Sequence, residues 1–154
     1  MDEIDKKILE ELQKNASIPL SELSKKVGLS NTPCWNRIKK LEEDKVILSK
    51  TVVLDNKKIN LPITVFLSIS IQNHSEKWLT NFQRVVKKYD EITEVHRLTG
   101  TNSDYQITIL SPSIDEYDKF QQNLIKEIEC TYMSSHISLQ VIKQNHKLPL
   151  TYVN

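Results

Sequence analysis

The hydrophobic period of this chain changes partway along it. Over the first third, Ile4, Ile8, Leu9 and Leu12 recur at i, i+4, i+5 and i+8, the spacing of one helix face, with charged residues elsewhere. From Ile63 onward Ile63, Val65, Leu67, Ile69 and Ile71 alternate with other residues, which is the two-residue period of a strand. One segment cannot satisfy both periods, so the chain divides into a helical part and a part built on a sheet. Its 154 residues allow one ordinary domain or two small ones. Small halves bury a modest share of their surface, so packing between copies is expected before any motif is read.

In the helical part, Asn15-Ala16-Ser17 interrupts the first helix. A second, shorter helix is predicted from about Pro19, with Leu20, Leu23 and Val27 inward; proline suits a first turn, where its missing N–H would lack a partner anyway. Gly28 stands where a left-handed C′ residue is wanted. Ser30 is a candidate N-cap for a third helix over 30–43, and Pro33 falls in its first turn. That helix carries Cys34, Ile38 and Leu41 at i, i+4 and i+7 toward the core. Three short helices with a Gly-containing turn between the last two form a helix-turn-helix pattern. Residues 46–54 are rich in β-branched side chains and read as a strand or wing. The polar stretch 55–60 before Pro62 marks the boundary. The expected organisation is a helix-turn-helix domain at 1–50, a strand and hinge linker at 51–61, and a second domain at 62–154.

The second part reads strand, helix, strand, strand, helix, strand. Ser75 caps a helix with Trp78, Leu79, Phe82, Val86 and Tyr89 on one face. Strands over 93–99 and 105–110 flank a turn at Gly100 to Asp104. Ser113-Ile114-Asp115-Glu116 is a capping box opening a helix with Tyr117, Phe120, Leu124 and Ile128 inward. Ile137, Leu139 and Val141 alternate in a last strand. The order βαββαβ predicts a ferredoxin-like sheet with both helices on one face, and an α+β chain overall.

Charge excludes little by its total: 21 Lys+Arg against 20 Asp+Glu give a net of +1. Its distribution says more. Arg37, Lys39 and Lys40 stand between Asn31 and Leu41 without an acid, a small basic face of the kind that grips a few phosphates. Cys34 and Cys130 are far apart and no secretory signal precedes Asp2, so a reducing cytoplasm is expected and a disulfide framework is not. The run from Leu61 to Ile71 is too short and too polar to span a bilayer, so no membrane association is expected. His74, His96, His136 and His146 lack ligand spacing, and neither a metal nor a cofactor is expected. Cys34 reads as a small core hydrophobe in place of a redox sensor.

On a wheel of about 100° per residue with Cys34, Ile38 and Leu41 inward, Thr32, Asn36 and Lys39 point away and Trp35 and Arg37 lie on the flanks. A hydroxyl, an amide and an ammonium on one face meet base edges and phosphates in a major groove. Asn36 can pair with adenine through two contacts, Thr32 can touch a base or a thymine methyl, and Lys39 and Lys40 suit phosphate. Ser30 and Asn31 at the helix start complete the candidate set. For Trp35, packing against the second helix is expected over stacking on DNA. The wheel alone leaves open an ordinary solvated face.

Several segments together resemble one family. These are Asp2-Glu3-Ile4-Asp5-Lys6-Lys7-Ile8-Leu9, Leu23-Ser24-Lys25-Lys26-Val27-Gly28-Leu29-Ser30, Arg37-Ile38-Lys39-Lys40-Leu41-Glu42 and Val46-Ile47, with Thr32-Pro33-Cys34-Trp35 matching one branch. Thr99-Gly100, Asp104-Tyr105 and the ending Val141-Ile142-Lys143 with Leu148-Pro149-Leu150 extend the match across the second part. The order and spacing resemble the Lrp/AsnC family of feast/famine transcriptional regulators. The resemblance implies a winged helix-turn-helix, a β-strand hinge and a βαββαβ sensing domain. It implies a homodimer that can assemble further, often to an octamer, on a pseudo-palindromic double-stranded DNA operator. It also implies an amino-acid effector held near Thr99, Gly100, Asp104, Tyr105 and Ser135.

Three positions depart from the family pattern. Lys45 replaces a usual glycine, Pro19 replaces a polar cap, and three residues (Thr101, Asn102, Ser103) in place of two separate Gly100 from Asp104. The alternative function is an enzyme, since tetrapyrrole-processing decarboxylases of the sirohaem type resemble this fold and use histidines. The DNA-type face of the third helix and the lack of a histidine cluster in the second half argue against it. The intact Asn36, Arg37 and Lys39 argue against a ligand-only module with a vestigial DNA domain.

Overall fold

Capping groups and buried stripes divide the first 44 residues into three helices, as the periodicity requires. The structure is a computed structural model and describes residues 1–100 and 102–153. Helix α1 spans Glu3–Lys14. The Asp2 carboxylate accepts the Asp5 N–H at 2.9 Å and the Asp5 carboxylate accepts the Asp2 N–H at 3.1 Å, a reciprocal capping box. Helix α2 spans Leu20–Lys26, with Pro19 at its N-cap and no side-chain cap bond. It ends in a Schellman turn: Leu29 N–H donates to Ser24 O at 2.8 Å and Gly28 N–H to Lys25 O at 3.2 Å, with Gly28 at φ +74°. Helix α3 spans Asn31–Glu43.

The end of α3 answers the Lys45 departure. Val46 N–H donates to Leu41 O at 2.9 Å and Lys45 N–H to Glu42 O at 3.1 Å, the same turn as at Gly28, and Lys45 sits at φ 58°. The turn is kept, and a side chain is forced into the left-handed region to keep it.

The chain forms two units. The first holds Met1–Val53 together with the stretch from Ile142. Its core is Ile8, Leu9, Leu23, Val27, Cys34, Ile38 and Leu41, with Ile47 and Leu150 packed against it. The tail from Ile142, placed with the second domain in the sequence, groups in the structure with this first unit. The Gln13 side-chain amide donates to Leu148 O at 3.2 Å and accepts from Leu148 N–H at 2.6 Å, and Leu150 reaches the helical core.

The expected strand over 46–54 does not form. Val46 and Ile47 both bond back to Leu41 O, and no further backbone bond among the described residues engages 48–54. A strand needs an edge to pair with, and Leu48, Val52, Val53 and Leu54 stay exposed. The hinge after them closes on itself: Leu61 N–H donates to Asn56 O and Asn56 Nδ2 to Leu61 O.

The second unit, Leu54–Val141, is the predicted ferredoxin-like βαββαβ arrangement. Strands β1 (Ile63–Ser70), β2 (Ile92–Arg97), β3 (Tyr105–Ser111) and β4 (Tyr132–Ile137) form one antiparallel sheet in the order β2-β3-β1-β4. Helices α4 (Glu76–Lys88) and α5 (Ile114–Glu127) cover one face. Phe82, Val85, Tyr117, Phe120 and Leu124 meet Val65, Leu67, Ile69, Ile107 and Ile109 there, and full burial of each such side chain is worth roughly 1.5–3 kcal/mol. Ser75 and Ser113 cap the two helices, accepting from Trp78 N–H and Glu116 N–H, but the expected Ser113 box is only half made, since the Glu116 carboxylate accepts from Lys119 Nζ at 2.7 Å.

Two sequence expectations shift. On α4 Phe82 and Val85 are the buried residues and Val86 is only partly buried, while Leu79 is exposed, because the inward stripe runs Trp78, Phe82, Val85, Tyr89. The last strand is β4, ending at Ile137, and Leu139 and Val141 are solvent-exposed. Among the described residues its one neighbour is β1, which follows Pro62, a residue with no N–H to extend the ladder, and Ser138 N–H to Thr64 O at 2.9 Å is the last bond.

Replacing Lys45 by Gly removes a side chain from a left-handed position and is expected to stabilise the first unit by about 1 kcal/mol. Hydrogen exchange at the α3 amides reads this directly; unchanged or faster exchange would contradict the strained-turn account.

Candidate functional site

The turn between α2 and α3 is built from buried polar contacts. Ser24 is buried and its Oγ donates to Asn31 Oδ1 at 2.8 Å, with Ser21 O at 3.3 Å. Asn31, a candidate DNA contact by sequence, thus spends its side-chain carbonyl tying α3 to α2. Ser30 has the extended backbone of an N-cap but makes no cap hydrogen bond, and it is exposed at the start of α3.

The wheel reading of α3 holds in the structure: Cys34, Ile38 and Leu41 are buried, and Thr32, Asn36, Lys39 and Lys40 are exposed. Trp35 stands at the flank of this face. It is 50% exposed, with the Lys39 ammonium 5.9 Å from its ring centroid, a cation–π distance. Burial pushes the Cys34 thiol pKa up, which keeps it in the unreactive form.

The basic residues of α3 are engaged to different degrees. Lys39 Nζ lies 2.8 Å from Glu42 Oε2, and Lys50 Nζ lies 2.9 Å from Glu42 Oε1. These two ammonium groups hold the Glu42 carboxyl down to about 2. Arg37 Nη1 lies 2.7 Å from both Asp2 Oδ2 and Asp5 Oδ1. Lys40 has no ion pair among the described residues. So α3 offers one uncompensated ammonium, one shared with Glu42, and a guanidinium turned to α1.

The second unit holds a cleft of about 500 Å³ at the end of β1 and β2, lined by His74, Arg97, Thr99, Gly100, Ser103 and Asp104 among others. Gly100 takes φ +80° there. The loop is stapled to β1: Asp104 N–H donates to Ile69 O at 2.8 Å, Ser70 Oγ to Asn102 O at 2.6 Å, and Ile71 N–H to Asp104 Oδ2 at 2.8 Å. His74 Nε2 lies 3.1 Å from Asp104 Oδ1. Asp104 is therefore a clamp on the β1 end, and each of its oxygens is partnered. Arg97 carries no ion pair among the described residues. Thr101, one of the three loop residues noted in the sequence, lies outside the described residues.

Two residues expected at this cleft are elsewhere. Tyr105 is buried, its ring 5.4 Å from that of Trp78 and 4.8 Å from that of Phe82, because strand alternation places positions 105, 107 and 109 inward. Ser135 sits on β4 with its Oγ 2.6 Å from Tyr117 Oη and 3.2 Å from Gln121 Nε2. Conversely, His74 and Arg97 line the cleft and were not singled out for it by the sequence. They stand on separate elements, and only the sheet order brings the β1 and β2 ends together.

Among the described residues there is no group of three or more His, Cys, Asp or Glu that could hold a metal, and no helix long and apolar enough to cross a membrane.

Residues 1–47 match the family described as winged helix-turn-helix DNA-binding, and residues 64–148 match the Lrp/AsnC ligand binding domain. A glutamate uptake regulatory protein of Zymomonas mobilis is 41% identical over 150 residues, covering 97% of this chain and 91% of that protein. The crystal structure of an AsnC family transcriptional regulator from Agrobacterium tumefaciens superposes with a TM-score of 0.95 at 42% identity, covering 100% of both chains. A transcriptional regulator from Neisseria meningitidis, in complex with L-Met, superposes with a TM-score of 0.93 at 28% identity, covering 100% of this chain and 99% of that one.

Removing the acid that engages Lys39 and Lys50 tests the electrostatics of the α3 face. Glu42→Gln is expected to raise affinity for duplex DNA of any sequence and to steepen its salt dependence, because two ammonium groups become available to phosphate. Equal or weaker binding, measured by fluorescence anisotropy across a salt series, would show that neither lysine reaches the DNA.

Proposed function

Since this chain belongs to the Lrp/AsnC family of transcriptional regulators, we propose that it reads its operator with the outward face of α3 and that an amino acid bound in the Arg97–Asp104 cleft tunes that affinity. DNA-binding transcriptional regulation is the function its two matched domains and its relatives carry. They support this reading over a tetrapyrrole-processing enzyme.

One observation carries the assignment of the face. The buried stripe Cys34–Ile38–Leu41 leaves Thr32, Asn36 and Lys39 exposed together on the opposite side of α3. Asn36 supplies a donor and an acceptor for the edge of an adenine, Thr32 a hydroxyl and a methyl, and Lys39 and Lys40 charge for the flanking phosphates. The exposed Trp35 adds a flat apolar surface at the same edge. Ser30 and the first amides of α3 face the same way as a helix start that suits a phosphate. Two copies related by a twofold axis would read a pseudo-palindromic site with half-sites about one helical turn apart. The exposed apolar residues over 48–54 favour pairing with a second copy, and higher assembly follows the family pattern. A cytoplasmic location accords with this work on DNA.

The effector reading rests on charge. Arg97 is a guanidinium with no ion pair among the described residues, in a cleft that also holds Asp104 and the Gly100 backbone, which suits the carboxylate and ammonium of a zwitterion. An amino acid that binds one dimer geometry better than another shifts operator affinity by the same free energy. L-Met in the Neisseria relative and the glutamate-related name of the Zymomonas relative support an amino acid as the class.

Asn36→Ala is expected to weaken discrimination between operator and random DNA by roughly 1–3 kcal/mol per half-site, while Lys40→Ala weakens binding to both and lowers the salt slope. Unchanged binding in both variants would overturn the major-groove reading. For the cleft, calorimetric titration of the twenty amino acids against the full chain should give heat with at least one, lost in Arg97→Ala. Arg97 is the variant of choice because Asp104→Ala also removes the acceptor of Ile71 N–H. Heat that persists undiminished in Arg97→Ala overturns the cleft.

A further inference from the structure

Arg37 stands one position beyond Asn36, on the flank of the face assigned to DNA, and is one of the basic residues that a sequence reading sends to the phosphates. Its guanidinium points elsewhere. A single nitrogen, Nη1, lies 2.7 Å from Asp2 Oδ2 and 2.7 Å from Asp5 Oδ1. Both acids belong to the first turn of α1 and already bond to each other's backbone as a capping box. Each carboxylate thus joins the cap of one helix to the middle of another. Among the described residues no other polar contact links α1 to α3; the rest of their contact is apolar, through Ile8, Leu9, Ile38 and Leu41.

An apolar stripe fixes which side of a helix is inward but resists sliding and rocking only weakly, since dispersion contacts are non-directional. A charge-assisted bridge to two acceptors is directional. Asn36 and Lys40 line a cavity of about 670 Å³ together with Arg37, Asp2 and Asp5, so the bridge lies directly beside the reading face. A phosphate approaching this guanidinium would also meet two carboxylates.

We propose that Arg37 is a positioning residue for DNA recognition and not a DNA contact: by bridging Asp2 and Asp5 it sets the pose of α3 on α1, and with it the aim of Asn36 and Thr32. The proposal rests on the reading that the outward face of α3 meets the bases. A phosphate-binding Arg37 and a positioning Arg37 make different use of the salt. Loss of a phosphate contact lowers the slope of log K against log salt by about 0.9 per site; loss of positioning leaves the slope and costs discrimination.

The experiment measures operator and random-duplex affinity of the full chain across a salt series for the wild type, Arg37→Met, Asn36→Ala, and the triple variant Asp2→Ser, Asp5→Leu, Arg37→Met. The triple variant keeps an N-cap hydroxyl on α1 and replaces the bridge by apolar contact, a swap that ion-paired sites often tolerate. In Arg37→Met the operator-to-random ratio is expected to fall toward that of Asn36→Ala, with random-DNA affinity and salt slope kept. In the triple variant the ratio is expected to recover substantially. A slope lower by about 0.9 in Arg37→Met, unrecovered in the triple variant, overturns the proposal in favour of a phosphate contact. An equal fall in operator and random affinity at unchanged slope, matching a lower folded fraction by circular dichroism, overturns it in favour of a role in stability alone. If Asn36→Ala keeps full discrimination, the reading of the face fails, whatever Arg37 does.

Discussion

Cys34, Ile38 and Leu41 form one stripe along α3, and the first unit closes on that stripe with Ile8, Leu9, Leu23 and Val27. Taking that stripe out of water sets the rotation of the helix about its own axis, and every exposed position follows from the rotation. Thr32, Asn36 and Lys39 come to one side because they lie about half a turn from the stripe. Ser24 and Asn31 then fix the start of the helix, and the left-handed Lys45 fixes its end. The exposed face of α3 is what remains once these constraints are met.

Electrostatics divide the work in a chain whose net charge is only +1. Arg37 faces two carboxylates and Lys39 shares Glu42 with Lys50, while Lys40 stands without an ion pair among the described residues. On the reading proposed here, such a surface would keep non-specific attraction to phosphate modest and leave selectivity to the amide and hydroxyl on the face. The cleft of the second unit follows a similar logic. Asp104 is committed to Ile71 N–H and His74, and Arg97 has no ion pair among the described residues. In both places a charge held by structural partners stands beside one with no ion pair among the described residues.

Much of this was legible in the residues. The helical and strand periods located eight of the nine elements near their observed positions, since each buries a regular stripe. The inward residues of α3 and α5 could be named from spacing alone. What misled was pairing at a distance. The β-branched run 46–54 has strand composition but no edge to pair with among the described residues, and 139–141 has alternation but no neighbour beyond Pro62. Tyr105 has the chemistry of a binding site, yet strand alternation turns it into the core, while Ser135 stays exposed on β4 with its hydroxyl bonded to Tyr117. Arg37 shows the same limit: helix spacing puts it on the flank, but not which acid of a distant helix it meets. His74 and Arg97 come together only through the sheet order.

The central claim is that α3 meets bases through the major groove. Dimethyl sulfate interference on a duplex selected from a random pool by the full chain tests it directly, because guanine N7 lies in the major groove and adenine N3 in the minor. The account predicts interference at guanine N7 in two clusters about one helical turn apart. Interference confined to adenine N3, or none above background on a selected duplex, would contradict it.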